Sequence, residues 1–202
     1  MQSAGNDIIA LNLIDKQRSN DSRFYSKILS ESEKIYYQRT VFAKIDFTCF
    51  LWLCWSVKES AYKYLKRIHP ELVFSPSKII VQHVSVDEKN YNGNFLAEGN
   101  IYYFRSEISR EFITTVVSED EKFEHVFWGF DSIKDTSADH QSKMVRALLL
   151  KKLHTVLPGK KLNVEKAIAG YPIIIEGTKE LNIPVSFAHH GRFIAYSFLL
   201  PA

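Results

Sequence analysis

A short charged segment directly follows the most apolar run of the chain. The residues W-S-V-K-E-S-A-Y-K at 55–63 carry Lys58, Glu59 and Lys63 behind the run F-L-W-L-C-W. On a helix, residues four apart share a face. Glu59 and Lys63 would therefore form either an ordinary surface ion pair of modest strength, or a carboxylate and an ammonium group presented to an anionic ligand.

Three other groups of residues have side chains that could carry chemistry. Asp7 follows Gly5 in a G-x-D pattern, which is also ordinary turn chemistry. Ser30 and Glu33 have the S-x-x-E spacing of a helix capping box. The pair of histidines before a glycine at 189–191 is typical of a tight turn. Each group alone has a structural explanation.

The composition restricts the kind of protein. A chain of 202 residues with 46% hydrophobic and 13% aromatic residues can bury a sizeable core, and it is neither disordered nor fibrous. The net charge of +3 mildly favours anionic partners without the dense basic block of many nucleic-acid binders. Cys49 and Cys54 have no zinc-site pattern around them. With no signal sequence and no apolar run of roughly 18 residues, we expect a reduced, cytoplasmic protein without a membrane partner.

Hydrophobic patterning predicts the elements of the first 130 residues. The apolar segment that follows G-N-D at 5–7 is a predicted buried strand with Asp7 at its mouth. Residues 48–67 have the strongest helical pattern. Short β-rich runs occupy residues 78–130, and Y-N-G-N at 91–94 is typical of a hairpin turn.

A change of composition separates a second part of the chain. The polar stretch at 131–139 is a candidate linker. It precedes a predicted helix at 140–157 with one apolar face, and turns and strands follow. Helix followed by strands thus occurs twice, which predicts an α+β fold of two similar halves at 1–130 and 140–202.

Three motifs become informative when they are taken together. G-x-D at 5–7, W-x-x-K-E-x-x-x-K at 55–63 and S-x-x-H-x-G at 186–191 span most of the chain. This combination resembles the 4'-phosphopantetheinyl transferase superfamily, whose motifs are G-x-D, W-x-x-K-E-x-x-x-K and S-x-S-H-x-G. The resemblance implies that superfamily's fold. It also implies transfer of the 4'-phosphopantetheine arm of coenzyme A to a serine of an acyl, aryl or peptidyl carrier protein, with release of adenosine 3',5'-bisphosphate.

The resemblance also implies catalytic and metal-binding residues. Asp7 and Glu59 would bind Mg²⁺, which prefers one or two carboxylates together with phosphate oxygens and water. Lys63 would contact the pyrophosphate and offset charge in the transition state. Lys58 would serve the same phosphate region. Glu59 is the natural acceptor of the proton that the serine loses.

Other residues are expected to bind coenzyme A or to support the site. His189 aligns with the histidine of the third motif and would contact a phosphate of coenzyme A, with the 3'-phosphate favoured. Arg146 lies on a predicted helix that resembles the leading helix of the larger transferases. Glu33 matches an acidic position of the superfamily, and a catalytic role and a helix-capping role are equally compatible with the sequence.

The chain departs from the superfamily pattern at three positions. Ile9 stands where many larger members have a second acid, so the metal is expected to have two protein carboxylates. Ala188 replaces a serine of S-x-S-H, which removes one phosphate hydrogen bond. Tyr171 replaces the lysine of a G-K-P element, with Gly170 and Pro172 retained.

The order of the motifs predicts the arrangement of the halves. In the larger two-half transferases the histidine motif precedes G-x-D, whereas here it comes last. The small holo-acyl-carrier-protein synthases share the present order but complete their sites across a trimer interface. This longer chain is therefore interpreted as a two-half protein in permuted order, a pseudo-dimer with its active site between the halves. A monomer would then suffice.

Two other functions remain open on the sequence alone. The first is a member of the same fold that binds coenzyme A or a carrier protein without transferring the arm. The second is a small nucleic-acid-binding module, although no RNP-like or helix-turn-helix pattern supports it. For the transferase, carriers of fatty-acid, polyketide, aryl-polyene or peptide synthesis would all fit as substrates, and the sequence does not distinguish among them.

Overall fold

A computed structural model describes residues 3–39, 45–167 and 169–200, which fold as α+β. The helices are α1 (Lys16–Ser19), α2 (Ser22–Tyr25), α3 (Glu31–Arg39), α4 (Phe47–Ile68) and α5 (Ala138–Val156), with 3-10 helices at Leu11–Leu13 and Pro76–Lys78. The strands are β1 (Gly5–Ala10), β2 (Ile80–Asp87), β3 (Asn90–Ala97), β4 (Asn100–Ile108), β5 (Phe112–Ser118), β6 (Val126–Ser132), β7 (Leu162–Lys166), β8 (Pro172–Glu176), β9 (Lys179–Leu181), β10 (Val185–His190) and β11 (Phe193–Leu199).

The strands form three antiparallel sheets. The first has the order β1-β5-β4-β3-β2, the second β10-β11-β6 and the third β7-β8-β9. Helix α4 packs against β1 and β5 of the first sheet, while α5 packs against β11, β7 and β6. Strand β1, at the edge of the first sheet, lies against β10 and β11 of the second. The first and second sheets therefore meet at β1, which carries the G-x-D motif.

Helix α4 agrees closely with the predicted helix at 48–67. It begins after Asp46, whose side chain accepts a hydrogen bond of 2.7 Å from the backbone N–H of Cys49. One face is fully buried against the first sheet, as the apolar spacing predicts. The opposite face is half-buried and carries Trp55, Glu59 and Lys63. The buried face fixes the helix, and the half-buried face is free to contribute to a site.

Gly5 is required by the close approach of β1 to α4. A Cβ atom at this position would lie 2.2 Å from the carbonyl oxygen of Ser60 and 2.8 Å from Cβ of Tyr64. Neither contact can relax, because both atoms belong to the helix or sit directly on it. The glycine therefore lets the strand lie against the helix, which places Asp7 beside the charged residues of α4.

The predicted hairpin turn at 91–94 is wrong. These residues lie inside β3, and the chain turns at 88–89 instead. A Cβ atom at Gly93 would lie 2.0 Å from the carbonyl oxygen of His83, next to a register shift in β2. The glycine thus serves a close strand contact rather than a turn.

Strand β6 does not join the first half as the boundary at residue 130 predicts. It pairs along its length with β11, from Val126 opposite Leu199 to Ser132 opposite Phe193. The segment at 131–139 is accordingly divided between β6, a short connection and the first residues of α5. The first strand of the second sheet in sequence, β6, therefore begins before the predicted linker at 131–139. Within the described ranges, no helix is both long enough and apolar enough to cross a membrane.

Candidate active site

Asp7 and Glu59 converge on the ammonium group of Lys63. Lys63 Nζ lies 3.2 Å from Asp7 Oδ1 and 3.4 Å from Glu59 Oε1. Asp7 belongs to β1, while Glu59 and Lys63 lie one turn apart on α4. The first two motifs therefore meet in space, and their carboxylates already share one cationic group.

The Asp7 carboxyl lies in an unusual environment. Its side chain is only 7% exposed, and Oδ2 has no partner with hydrogen-bond geometry within the described residues, although the Ser56 hydroxyl lies close enough to lower the pKa of the carboxyl. Burial raises the pKa of Asp7 to about 6, the charge of Lys63 opposes that shift, and the charge of Glu59 adds to it. A buried carboxylate oxygen without a donor has a strong electrostatic preference for an additional cation.

The two carboxylates fit a magnesium ion. Magnesium in proteins commonly takes one or two carboxylates and completes its shell with water and substrate phosphate oxygens. Asp7 Oδ2 supplies an unused buried ligand atom, and Glu59 is partly exposed beside it. No group of three or more His, Cys, Asp or Glu side chains suited to a metal occurs in the described part of the chain. A protein donor set would therefore be limited to these two residues and would need substrate oxygens to complete it.

Asn6 connects all three motifs. Its carbonyl oxygen accepts a hydrogen bond of 3.1 Å from Lys63 Nζ, and its backbone N–H donates to Ser186 Oγ at 3.3 Å. Ser186 opens the third motif on β10. The backbone of the middle residue of G-x-D thus joins the second motif to the third, a role that the sequence did not predict.

The two histidines of the third motif occupy different environments. His189 is exposed; partial burial lowers its pKa, and the positive charge of Lys63 lowers it further. His190 is half-buried, and its Nδ1 accepts a hydrogen bond of 3.1 Å from the backbone N–H of Ala10. Burial lowers the pKa of His190, with Glu59 opposing that shift and His189 adding to it. His189 thus feels the charge of Lys63 but does not line the cationic cavity described next, while His190 is hydrogen-bonded to β1.

A cationic cavity of about 510 Å³ adjoins Lys63. Among the described residues its lining has no acidic side chain and includes five basic side chains from α4, α5 and β7: Lys63, Lys66, Arg67, Arg146 and Lys166. Arg146 reaches it from α5, where Nη1 donates to the carbonyl oxygen of Ser142 at 3.0 Å and also contacts that residue's hydroxyl. The cavity thus suits a multiply charged anion next to the paired carboxylates.

Tyr171, which stands in the place of a lysine, forms part of the same cavity wall. The Arg67 guanidinium lies over its ring, with Cζ 4.4 Å from the ring centroid. Arg67 Nη1 also donates to the carbonyl oxygens of Pro172 and Val185, each at 3.3 Å. Arg67 therefore links α4 to β8 and β10 and places a positive charge over the Tyr171 ring.

The prediction for Lys58 does not agree with the structure. Its side chain is fully buried, and Nζ donates to Glu33 Oε2 and to the carbonyl oxygen of Ile28, both at 2.7 Å. Adjacent residues on a helix point about 100° apart, so Lys58 faces the core while Glu59 faces the cleft. It is an internal ion-pair partner rather than a phosphate ligand.

Glu33 is a structural residue. It completes the capping box, since Ser30 N donates to Oε2 at 2.7 Å and Glu33 N donates to Ser30 Oγ at 3.3 Å. Its Oε1 accepts from the backbone N–H of Val81 at 2.9 Å. Both oxygens are buried and bonded, so the carboxylate joins α3, α4 and β2 and is not available for catalysis.

A second groove, of about 570 Å³, lies away from these residues. It is formed on the face of the first sheet that α4 does not cover, and its lining includes His83, Asn92, Arg105 and Trp128. None of the motif residues lines it. We therefore place the candidate site at the cationic cavity and the paired carboxylates.

Sequence reasoning missed several contributors to this site. Lys66 and Arg67 line the cavity next to Lys63, and their spacing on the same helix face was the available signal. Ser186 was noted only as a motif position, and His190 only as a turn residue. Their contacts with β1 bridge 180 residues of sequence, and local patterns carry no signal of such distant pairings.

The family comparison agrees with this geometry. The model of a family described as the 4'-phosphopantetheinyl transferase superfamily matches residues 3–122. That span covers more than half of the chain and contains the first two motifs, so the chain belongs to the 4'-phosphopantetheinyl transferase superfamily. The third motif and α5 lie beyond the matched residues. No curated protein matches the chain.

Proposed function

We propose that this protein transfers the 4'-phosphopantetheine arm of coenzyme A to a serine hydroxyl of an apo acyl or peptidyl carrier protein in a Mg²⁺-dependent reaction. The observation that carries the proposal is the convergence of Asp7, Glu59 and Lys63 beside a cationic cavity. Superfamily membership supports phosphopantetheinyl transfer in general. The carboxylates, the ammonium group and the cavity match the charges of a coenzyme A diphosphate with its metal.

Asp7 and Glu59 are the residues that would hold Mg²⁺. When bound, the ion would neutralise diphosphate charge and orient the phosphoryl group. Asp7 supplies a buried oxygen without another partner, and Glu59 supplies an oxygen at the edge of the cleft. The protein contribution is a fixed pair of acidic ligands, since β1 and α4 are rigidly packed through Gly5.

Lys63 and Glu59 have separate roles in the transfer. The serine oxygen forms a bond to the β-phosphorus, and the bond from that phosphorus to the bridging oxygen breaks, which releases adenosine 3',5'-bisphosphate. Glu59 accepts the serine proton, because it is the more exposed of the two carboxylates. Lys63 donates to the diphosphate oxygens and offsets the charge on the leaving group.

The cavity next to Lys63 receives the nucleotide end of coenzyme A. Arg146, Lys66 and Arg67 lie around it, so the adenosine phosphates would be neutralised by side chains from both parts of the chain. His189, on β10 outside the cavity lining, would add a phosphate contact, and the influence of Lys63 on its pKa supports this role. Phe187 and Tyr171 supply the apolar part of the lining.

The permuted arrangement of two halves belongs to the same proposal. Asp7, Glu59 and Lys63 come from the first part of the chain, whereas Arg146 and His189 come from the second. Lys63 from the first part and Arg146 from the second line the same cavity, and Asp7 and Glu59 adjoin it through their contacts with Lys63. We therefore infer that a monomer is sufficient for activity, with the third motif donated by the chain's own second part.

Mass spectrometry of apo carrier proteins tests the proposal. A panel of apo carriers from fatty-acid, polyketide and peptide synthesis is incubated with the protein, coenzyme A and Mg²⁺. At least one carrier gains the mass of phosphopantetheine, and the same reaction with EDTA gives no gain. Binding of coenzyme A without any mass gain on every carrier would instead support a binding-only member of the fold.

A further inference from the structure

The edge of β1 is joined to β10 by side chains rather than by a backbone ladder. The backbone N–H of Asn6 donates to Ser186 Oγ at 3.3 Å, and that of Ala10 donates to His190 Nδ1 at 3.1 Å. The two strands belong to different sheets. Both bonds advance by four residues in the same direction, so β10 runs alongside β1 in parallel.

A third residue between these bonds completes the contact. Ala188 is buried with Ile8 and Ala10 in a small core shared by the two sheets. Residues 186, 188 and 190 therefore face β1, as the two-residue period of a strand requires. We refer to the contacts of Ser186, Ala188 and His190 with β1 as the seam. The small side chain of Ala188 lets the strands approach closely enough for both hydrogen bonds.

The alternate residues of β10 point away from the seam. Phe187 lines the cationic cavity, as do Val185 and Ser186. His189 shares the strand face of Phe187, and the charge of Lys63 contributes to its lowered pKa. Since each residue on a strand is followed by one on the opposite face, the position of His189 is determined by the position of its neighbours in the seam. A shift of β10 along β1 would move His189 relative to Lys63.

We propose that His190 is a positioning residue that fixes the register of β10 against β1 and thereby holds His189 at the phosphates of coenzyme A. The expected effect of His190 on coenzyme A binding rests on the proposed function, whereas its contact with β1 does not. His190 acts at the end of the seam nearest His189, and no other described side chain accepts from the N–H of Ala10.

Other contacts hold the turn at Gly191, which follows His190 and connects β10 to β11. Gln141 Nε2 of α5 donates to the carbonyl oxygen of Gly191 at 2.8 Å. Gly191 has a positive φ of 57°, and a Cβ atom there would lie 2.6 Å from Leu13 Cδ1. The turn is therefore enclosed by α5 and the segment after β1, and His190 supplies its hydrogen bond to β1 itself.

The hydrogen bond also defines the form of the imidazole. A backbone N–H can only donate, so Nδ1 of His190 must be unprotonated to accept from Ala10. The neutral ring then carries its proton on Nε2. The lowered pKa that burial gives His190 favours this neutral form. An asparagine places its Oδ1 close to the position of Nδ1, whereas leucine has similar bulk and no acceptor.

The test compares His190→Asn with His190→Leu. Calorimetric titration with coenzyme A measures affinity, and amide hydrogen exchange without coenzyme A measures protection at Ala10. We expect His190→Leu to weaken coenzyme A binding by about 10-fold, as for loss of one well-placed phosphate contact, and to accelerate exchange at Ala10. His190→Asn restores both quantities to near the wild-type values.

A double-mutant cycle with His189→Ala separates positioning from simple loss of structure. If His190 acts through His189, His190→Leu has little further effect on coenzyme A affinity in the His189→Ala background. An equal loss in both backgrounds, or unchanged affinity and Ala10 protection in His190→Leu, overturns the proposal. If His190→Leu does not fold, His190→Gln is used in its place. Its side-chain oxygen lies one bond further from the backbone than Nδ1 of histidine and is displaced from the N–H of Ala10.

The two readouts distinguish this proposal from the proposed function. Exchange at Ala10 is measured without any ligand, so it reports on the seam alone. If the wild-type protein does not bind coenzyme A, the proposed function fails and so does the role of His190 in positioning a coenzyme A ligand. Normal wild-type binding with an ineffective His190→Leu substitution rejects only the role of His190.

Discussion

Lys63 on α4 lies 3.2 Å from Asp7 on β1, and this contact joins two residues that are 56 positions apart in sequence. Gly5 makes the contact geometrically accessible, because any side chain there would collide with α4. The pairing leaves one Asp7 oxygen unbonded within the described residues. We interpret this arrangement as a site for a metal ion and a phosphate group, in which Lys63 and the metal ion contact the same two carboxylates.

Substitution of Glu59 by glutamine should abolish transfer without unfolding the protein. Its side chain is partly exposed, and among the described residues its ion-pair partner is Lys63, so stability should change little. Loss of the metal ligand and proton acceptor should lower kcat by at least about 100-fold. Turnover is measured by mass spectrometry of the carrier, with the exposed Glu165→Gln on β7 as the matched control. Transfer at the wild-type rate by Glu59→Gln would contradict the assigned role.

Substitution of Lys63 by alanine should weaken the handling of coenzyme A as well as the rate. The ammonium group is the only cation that bridges Asp7 and Glu59 among the described residues. Its loss leaves two facing carboxylates and removes a diphosphate ligand, so KM for coenzyme A should rise and kcat should fall. Steady-state kinetics measure both constants. The exposed Lys143→Ala on α5 is the control, and a variant with unchanged KM would argue against a phosphate contact.

The buried Asp7 carboxyl should make stability depend on pH. Its folded pKa is raised to about 6, so the folded protein binds this proton more tightly than the unfolded chain does. In EDTA, the contribution of this group is most favourable below about pH 4 and is lost as the pH rises to about 6. The free energy of unfolding should fall by about 2–3 kcal/mol over that range. Chemical denaturation at several pH values measures it.

Asp7→Asn provides the control for this pH effect. Asparagine has nearly the same shape and does not titrate, so the decline between about pH 4 and 6 should disappear. Above pH 6 the variant should be at least as stable as the wild type in EDTA. Identical pH profiles for the two proteins would show that Asp7 ionises in the folded state much as it does in an unfolded chain.

Lys58 should behave as a structural residue rather than a substrate ligand. Lys58→Met leaves Glu33 buried without its ion-pair partner, which should cost about 3–5 kcal/mol of stability. The double variant with Glu33→Gln should recover part of that loss. At temperatures where Lys58→Met is folded, kcat and KM should remain near the wild-type values. A rise in the KM of Lys58→Met for coenzyme A, with unchanged thermal stability, would instead indicate that Lys58 contacts a phosphate.

The sequence predicted the elements that local patterns determine. Helix α4 has a long periodic apolar face with no internal glycine or proline, and its observed ends lie within one residue of those expected. The S-x-x-E spacing of Ser30 and Glu33 likewise forms the expected capping box. Spacing alone could place Glu59 and Lys63 on one face of that helix.

Features that depend on distant contacts were not predicted. The N-G pair at 92–93 has strong local turn propensity, yet the close approach of His83 keeps it within a strand. Lys58 lies next to Glu59 in sequence, but one helical step turns it into the core toward Glu33. The seam between β1 and β10 joins residues 180 apart, and β6 pairs with the last strand, so neither could be read from local periodicity.

A crystal structure with coenzyme A and Mn²⁺, a substitute for Mg²⁺ whose anomalous scattering locates the ion, tests the central claim most directly. We expect one anomalous peak within coordination distance of carboxylate oxygens from both Asp7 and Glu59, in contact with the diphosphate. Lys63 should lie on the same phosphates. Coenzyme A bound with its diphosphate away from these residues, or a metal ion that neither carboxylate contacts, would contradict it.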